Sequence, residues 1–425
     1  MPKKAFSFAI YYIVMLAVLL SWTNPTSPPS AMSRILFLVA LMVPLLANKR
    51  YYIYIPAVII FFHTVSYYGS AFSYMPTDIS YIAIFPLIAL ISIKNKTMPP
   101  AIWIVFFLYI SFVNLLCGGN FSNSSKLFLI LILLYSILFL DKNYTYTILS
   151  WCFILSSIIL AILFIINRDK FSYAYGGDLE RSMWMDPNYW GIAVGVGTVI
   201  SFVEYTFNEK APKLFKILLL ITMGLTITVL ILNASRGALL AVSVSCLYII
   251  LTNKSSSFKT KVFILLLITI FIFYLFSQGY FELLEYRMEN RDLLEGNGRT
   301  EIWTRKINAY LMLHPVKQIF GIGNVAGMNL GFSYLRGFHN DFIGILVCYG
   351  IVGLIMYISI LLDLYICSSN KKVAMAILLY IMVTGFTVEP ISGGHLIIGS
   401  LILYSYCATK EKTIDKLKLN RNEYI

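Results

Sequence analysis

Long apolar runs recur from one end of this chain to the other, and no other feature limits its fold as strongly. A helix that crosses the hydrocarbon core of a bilayer needs roughly 20 consecutive apolar residues. The runs therefore predict an all-α, polytopic transmembrane protein with about 14 spans (12–14). The predicted spans are residues 5–22, 31–47, 51–69, 79–94, 100–117, 125–140, 145–167, 188–207, 214–233, 236–252, 260–278, 341–367, 372–388 and 393–408.

The composition agrees with a membrane location. Only 12% of the 425 residues are charged and 59% are hydrophobic, whereas a soluble protein carries about 25% charged residues. Such a chain has too little polar surface to cover itself in water, so we expect one membrane domain over residues 1–425. Residues 5–22 follow Lys3 and Lys4, and no small-residue cleavage site comes after them, which indicates a retained first helix.

The sequence offers no conventional cofactor or metal motif. Its six cysteines lie mostly in apolar segments without CxxC spacing, which argues against a disulfide framework and against a zinc site. Neither a GxxxxGK[ST] loop nor a GxGxxG turn follows a plausible strand. We therefore predict no cofactor and no metal.

The lysines and arginines predict the orientation of the spans. With fourteen spans, the lysine-rich connections near residues 49–50, 94–96, 210–216, 254–261 and 371–372 all fall on one side, together with both termini. The positive-inside rule assigns that side to the cytoplasm. Membrane topology thus accounts for the net charge of +13, and we expect no nucleic-acid partner.

One large connection, residues 279–338, is predicted on the opposite, outer face. Within it, the segment GRTEIWTRKINAYLMLHP repeats apolar residues at helical spacing and ends at Pro315. A helix with Trp303 on one face and arginine on another could lie on the membrane surface and cap a cavity between the spans. Arg299 and Arg305 flank Trp303; they are either solvated loop charges or part of an anion site.

Two further outer segments carry candidate binding residues. Arg236 lies in the tight hairpin NASRG, where it either extends to lipid headgroups or binds an anion beside the start of the next helix. Arg181 precedes the sequence WMDPNYWG, in which Asp186 or Asn188 caps a helix that Pro187 begins. Capping alone explains that segment, although its arginine and aromatic rings could also line a sugar site.

His339, Asn340 and Asp341 stand at the start of the apolar run that follows the large loop. Asn340 or Asp341 is expected to cap the helix. His339 is either an ordinary interfacial histidine or a general base, because a helix N-terminus disfavours the charged imidazolium and leaves the ring able to accept a proton.

The order of these motifs resembles the O-antigen polymerase/ligase superfamily of membrane glycosyltransferases, which are GT-C-like. NASRGALLA comes first, GRTEIW and HPVKQIFGIG follow in the loop, and FHNDFIGILVCYGIVG comes last. ERSMWMDPNYWG is similar to a further family segment. The resemblance covers roughly residues 175–355, and we prefer a polymerase to a ligase because HNDF and the Phe/Tyr/Ile-rich sequence look more like the polymerases.

The resemblance implies metal-independent, inverting glycosyl transfer at the periplasmic face of the bacterial inner membrane, with both termini cytoplasmic. Donor and acceptor are polyprenyl-pyrophosphate-linked oligosaccharides in the membrane lipid, and a chain-length regulator protein is a candidate partner. His339 is the implied catalytic base. The implied pyrophosphate-binding residues are Arg236, Arg299, Arg305 and Arg181. The implied supporting residues are Asn340, Asp341, Asp186, Asn188 and Trp303.

Two alternatives remain open from the sequence. An O-antigen ligase would transfer the same glycan to lipid A-core. A flippase for lipid-linked oligosaccharides has similar length and span number, but the asymmetric loop, the absence of an evident two-fold repeat and the few ionisable groups within spans argue against it.

Overall fold

A computed structural model describes nine stretches of the chain, all of them helical wherever they are regular. The stretches are residues 99–118, 122–138, 142–166, 187–208, 211–233, 235–253, 299–333, 337–391 and 396–407. Within them the predicted all-α class is confirmed. The twelve helices are α1 (Ala101–Leu116), α2 (Asn123–Leu138), α3 (Lys142–Ile166), α4 (Pro187–Phe207), α5 (Lys213–Leu232), α6 (Arg236–Thr252), α7 (Arg299–Leu311), α8 (Pro315–Phe320), α9 (Asn324–Asn329), α10 (Asp341–Cys367), α11 (Lys371–Thr387) and α12 (Leu396–Cys407).

The observed helices follow the predicted spans closely. All nine predicted spans that lie in the described stretches coincide with a helix, namely α1 to α6 and α10 to α12. The other five, residues 5–22, 31–47, 51–69, 79–94 and 260–278, lie outside the described residues. In the described stretches, four helices are long and apolar enough to cross a bilayer by length and composition, at Tyr146–Ile166, Asn188–Phe207, Lys213–Leu232 and Asp341–Cys367. The chain is a multi-pass membrane protein, and the total of fourteen spans stays a prediction.

The helices pack as a bundle around an aliphatic and aromatic core. α4 contacts α3, α5 and α6, and α6 contacts α11, while α10 contacts α1, α11 and the short helices α7, α8 and α9. Small residues permit close approach between helices in a membrane: a Cβ on Gly191 near the start of α4 would lie 2.5 Å from the Cβ of Ser235, just before α6. The starts of α4 and α6 and the end of α5 therefore meet at one face of the bundle.

The sequence GIVG within α10 makes a break in the helix. Gly350 has φ 69° and ψ −173°, a non-helical backbone conformation that essentially only glycine adopts. The break exposes the carbonyl oxygen of Cys348, which accepts hydrogen bonds from the N–H groups of Ile322 and Gly323 at 3.0 and 2.9 Å. A small-residue motif such as GIVG is typical of close packing between helices, and what packs against Gly350 is the backbone of the large loop.

The predicted loop helix is shorter than its sequence pattern indicated. α7 ends at Leu311, and Pro315 begins α8 instead of terminating α7. The side-chain amide of Gln318 donates to the carbonyl oxygens of Leu311 and Leu313 at 2.9 and 2.8 Å. These bonds satisfy carbonyl groups that a helix end leaves without partners, so the chain can turn there.

Candidate functional site

The connection after α11 gathers three predicted site segments. Residues 387–391, called here the 387–391 turn, accept a hydrogen bond from the Arg299 guanidinium at the carbonyl oxygen of Thr387 (2.6 Å). The carboxylate of Glu389 accepts from the N–H of Phe338 at 2.9 Å and also from the N–H of His339. Both chain ends of the large loop's described part are thus fixed on the same turn.

Arg299 and Trp303 reach the turn from one face of α7. Arg299 is the first residue of that helix, and Trp303 lies one helical turn further along. The indole N–H of Trp303 donates to the carbonyl oxygen of Phe338 at 2.8 Å. The residue directly before His339 is therefore held on one side by Glu389 and on the other by Trp303.

Arg305 lies on a different, exposed face of α7. Its guanidinium pairs with Glu301 at 2.5 Å, one helical turn earlier, and both side chains are more than half exposed. It also lies over the ring of Phe332, 5.6 Å from the ring centroid. Of the two loop arginines named as pyrophosphate ligands, the structure brings Arg299 to the 387–391 turn and leaves Arg305 away from it.

Arg236 is the first residue of α6, immediately after the short connection that the hairpin motif predicts. A Cβ on the next residue, Gly237, would lie only 2.5 Å from Oγ1 of Thr387. The start of α6 therefore touches the same residue that receives the Arg299 hydrogen bond. Ser235 occupies the N-cap position without making a side-chain cap hydrogen bond, and free N–H groups at a helix start favour anions.

His339 has a backbone conformation that is rare outside glycine. Its φ is +51°, and a left-handed residue of this kind costs about 1–2 kcal/mol. The strain is held by neighbours: Asn340 caps α10 by accepting the N–H of Ile343 at 3.0 Å, which confirms the predicted cap, and Glu389 binds the N–H of His339. A Cβ on Gly337 would lie 2.5 Å from Oε1 of Glu389 and 3.8 Å from Nε2 of His339, so imidazole and carboxylate flank the same point.

Asp341 does not cap the helix, although the sequence left that option open. It is the first residue of α10, its side chain is buried, and both carboxylate oxygens accept from the N–H of Ile391 at 3.1 and 3.0 Å. Asp341 thus ties the start of α10 to the far end of the 387–391 turn. A carboxylate at a helix start is also favoured by the helix dipole.

Glu389 is a site residue that reasoning from the sequence missed. Burial raises the pKa of its carboxyl, and the hydrogen bonds from Phe338 and His339 and the charge of Lys306 partly offset that effect. It lies in a short connection and belongs to no motif. An acid followed by proline at the predicted outer end of an apolar run was the only available signal.

Lys306 belongs to the charged loop that follows the predicted span 260–278, yet its side chain is fully buried. Its ammonium donates to the carbonyl oxygens of Gly327 and Met328 at 2.9 and 2.6 Å. It also lies 4.7 Å from the centroid of the Phe338 ring. The lysine therefore binds α9 to α7 and supports the segment that carries His339.

The structure describes only the last part of the segment around Arg181. Arg181 and Asp186 lie outside the described residues. Pro187 is the first residue of α4, so Asn188 lies inside the helix and is not the residue that precedes it. Its side chain is half-buried.

The assembled site joins His339, the guanidinium of Arg299 and the start of α6, whose N-cap residue makes no side-chain cap hydrogen bond. Such groups suit an anionic leaving group and a hydroxyl that must lose a proton. Among the described residues, no group of three or more His, Cys, Asp or Glu side chains could hold a metal ion. The predicted absence of a metal remains a prediction.

Comparison with known families agrees with the resemblance seen in the motifs. Residues 218–358 match a family model described as O-antigen ligase, a family that covers both polymerases and ligases. No curated protein matches the chain. The matched range contains Arg236, Arg299, Arg305 and His339 and ends within α10, before the 387–391 turn.

Proposed function

Since this chain carries a domain of the O-antigen ligase family in residues 218–358, we propose that it polymerises lipid-linked oligosaccharide units. The family implies a membrane glycosyltransferase-type activity on lipid-linked glycans. The finer proposal is that donor and acceptor are both repeat units on polyprenyl pyrophosphate. It places the reaction at the periplasmic face of the bacterial inner membrane, with both termini in the cytoplasm.

One observation supports this proposal most directly. Arg299, at 2.6 Å, and the backbone N–H of His339 both bind the 387–391 turn, although they belong to opposite ends of the described loop. An arginine that binds a pyrophosphate and a histidine that accepts a hydroxyl proton must lie near one reacting bond. A shared anchor, Thr387 to Glu389, fixes their separation before substrate arrives, which is how preorganised sites lower a barrier.

The proposed step is a single displacement. The acceptor hydroxyl oxygen attacks the anomeric carbon of the donor glycan, and its proton passes to the imidazole of His339. The bond from that carbon to the pyrophosphate oxygen breaks, and both electrons stay on the leaving oxygen. Arg236 and Arg299 stabilise the charge that develops there. Configuration at the anomeric carbon inverts, and no metal takes part.

The preference for a polymerase rests on the HNDF motif and the Phe/Tyr/Ile-rich sequence. Gene deletion in the source bacterium, followed by analysis of surface and carrier-linked glycans, separates the three functions. A polymerase defect leaves single repeat units on the lipid core. Long chains retained on the carrier lipid would indicate a ligase, and the loss of any unit at the outer face would indicate a flippase.

Complementation of the deletion tests the assigned base. Wild-type protein should restore the ladder of long chains on a gel, and His339→Ala should leave single units at equal protein level. General base catalysis contributes about 10²–10⁴-fold in rate. Unchanged chain length with His339→Ala would exclude the imidazole as the base.

A further inference from the structure

The hairpin between α7 and α9 exposes an unusually apolar surface. Six of its apolar side chains are exposed, with Met312 at 88% relative exposure. Single exposed apolar residues are common on soluble surfaces, whereas contiguous patches indicate an interaction. The exposed apolar residues of this hairpin are Leu311, Met312, Val316, Ile319, Phe320 and Val325.

The hairpin contacts α10 part of the way along that helix, and not at the end of the bundle where α10 begins. Asp341, the start of α10, is bonded to Ile391 beside the end of α11, and Gly237 at the start of α6 packs on Thr387. These helix ends mark one face of the bundle. The hairpin contacts α10 at Gly350, nine residues after Asp341. Because an α-helix rises about 1.5 Å per residue, this contact lies about 13 Å from the start of α10.

The polar backbone of the hairpin is satisfied from within the protein. The N–H groups of Ile322 and Gly323 bind the carbonyl oxygen of Cys348. The hydroxyl of Tyr109 on α1 lies 2.9 Å from the carbonyl oxygen of Phe320, and the N–H of Asn324 binds Asn114 Oδ1 at 2.8 Å. Non-helical backbone at membrane depth is tolerated only where protein or a water-filled cavity supplies its partners.

The apolar patch continues onto neighbouring helices. Tyr109, which meets the tip of α8, is flanked on α1 by exposed Leu108 and Phe112. Ile351, directly after the break in α10, is exposed as well. The exposed flanks of transmembrane helices face acyl chains, so the hairpin extends a surface that lipid already covers.

Two titratable side chains are exposed on residues 311–325, His314 and Lys317. The stem of a lysine can follow an apolar surface while its ammonium reaches the headgroups, and His314 accepts the N–H of Val316 at 3.4 Å. Their presence limits the hairpin to the shallow part of the hydrocarbon region, near the headgroup boundary.

We propose that residues 311–325 form a re-entrant hairpin whose exposed apolar side chains contact phospholipid acyl chains at the membrane face where α10 begins. The large loop is then not wholly outside the membrane. Because α7 runs from Arg299 directly into this hairpin, the bilayer holds the far end of the helix that carries Arg299 and Trp303. The inference does not depend on the substrate of the protein.

Fluorescence quenching tests the proposal in the full-length protein. A cysteine at position 319, in a background without the native cysteines, is labelled with NBD and reconstituted in phosphatidylcholine nanodiscs. We expect blue-shifted emission, quenching by doxyl-labelled phosphatidylcholine and protection from aqueous iodide. The control is position 304, an exposed residue of α7 outside the patch, where iodide should quench and doxyl lipid should not.

A second measurement keeps the wild-type cysteines and so avoids any folding defect of that background. Benzoylphenylalanine at position 319 should form phospholipid adducts on irradiation in membranes, and the same group at position 304 should form far fewer. Iodide quenching at 319 equal to that at 304, or cross-links from 319 to another protein or to a second copy of the chain, would overturn the proposal.

Discussion

The guanidinium of Arg299 donates a hydrogen bond of 2.6 Å to the carbonyl oxygen of Thr387, 88 residues further along the chain. That carbonyl group belongs to the last residue of α11, where a helix leaves its carbonyl oxygens without partners and carries partial negative charge. The bond uses part of the guanidinium's five N–H donors. It therefore orients the guanidinium of Arg299 at the end of α11.

Arg299→Lys should remove most of the activity, because an ammonium keeps the charge but cannot bind Thr387 and present a planar fork to a phosphate together. Removal of one preorganised donor of transition-state charge costs about 10²–10³-fold in rate. The readout is transfer of a radiolabelled repeat unit by purified protein in nanodiscs.

Arg305→Lys is the matched control for this substitution. Arg305 belongs to the same helix but pairs with Glu301 on the exposed face, where an ion pair contributes about 0–1 kcal/mol. We expect activity within about twofold of wild type. Equal losses for both variants would contradict the assignment of Arg299 and revive Arg305 as the ligand.

The helix positions followed from the sequence, whereas the choice between these arginines did not. The bounds 236–252 and 341–367 were predicted to the residue, since polar side chains flank each apolar run. Both arginines flank Trp303, but residues 299, 303 and 306 lie four and three apart and share one helical face, which residue 305 does not. That periodicity could have separated them.

Glu389 could not be found in the same way. Its bond to Phe338 joins residues 51 apart in the chain, and no periodic pattern encodes such a contact. Only the packing of α10 against α11 brings the two together. The burial of Lys306 could not be predicted either, because a lysine in a loop rich in charges is expected to be solvated.

Trp303→Phe should lower activity with a small effect on stability. Phenylalanine keeps most of the apolar contact but leaves the carbonyl oxygen of Phe338 without the indole N–H, a loss of about 1 kcal/mol. The segment that carries His339 then loses its hydrogen bond to α7 and keeps those to Glu389. We expect kcat to fall more than KM rises, because substrate binding by arginine is unchanged. A thermal unfolding curve for the same sample separates a mispositioned histidine from a general loss of fold.

Glu389→Gln should change how stability depends on pH. The carboxyl's pKa is raised in the folded protein by burial, so folding favours its protonated form. The stabilisation is complete below the unfolded pKa and disappears as pH rises through the folded one. Wild-type protein should thus lose stability as the pH rises above the ordinary carboxyl range, and the glutamine variant should lose less.

Thermal unfolding in detergent across that pH range measures the difference. Glu301→Gln provides the control, since it removes a carboxylate of the same loop from an exposed position. Its curve should parallel that of wild type. If the curve of thermal stability against pH for Glu389→Gln is also parallel to that of wild type, the buried carboxyl does not determine how stability depends on pH.

Gly350→Ala should destabilise the protein and separate the loop from α10. At Gly350 a side chain must adopt a backbone conformation that costs about 1–3 kcal/mol, and its Cβ would lie only 2.2 Å from the carbonyl oxygen of Ile319. That oxygen belongs to backbone and cannot rotate away, so the hairpin must move. Activity should fall with the melting temperature, because α7 is displaced together with Arg299.

Gly224→Ala on α5 is the contrasting change: a Cβ there meets nothing within 4 Å, and alanine in a helix is favoured over glycine by about 1 kcal/mol. A melting temperature lowered at residue 350 and kept or raised at residue 224 would locate the effect in the docked hairpin; similar behaviour at both positions would contradict it.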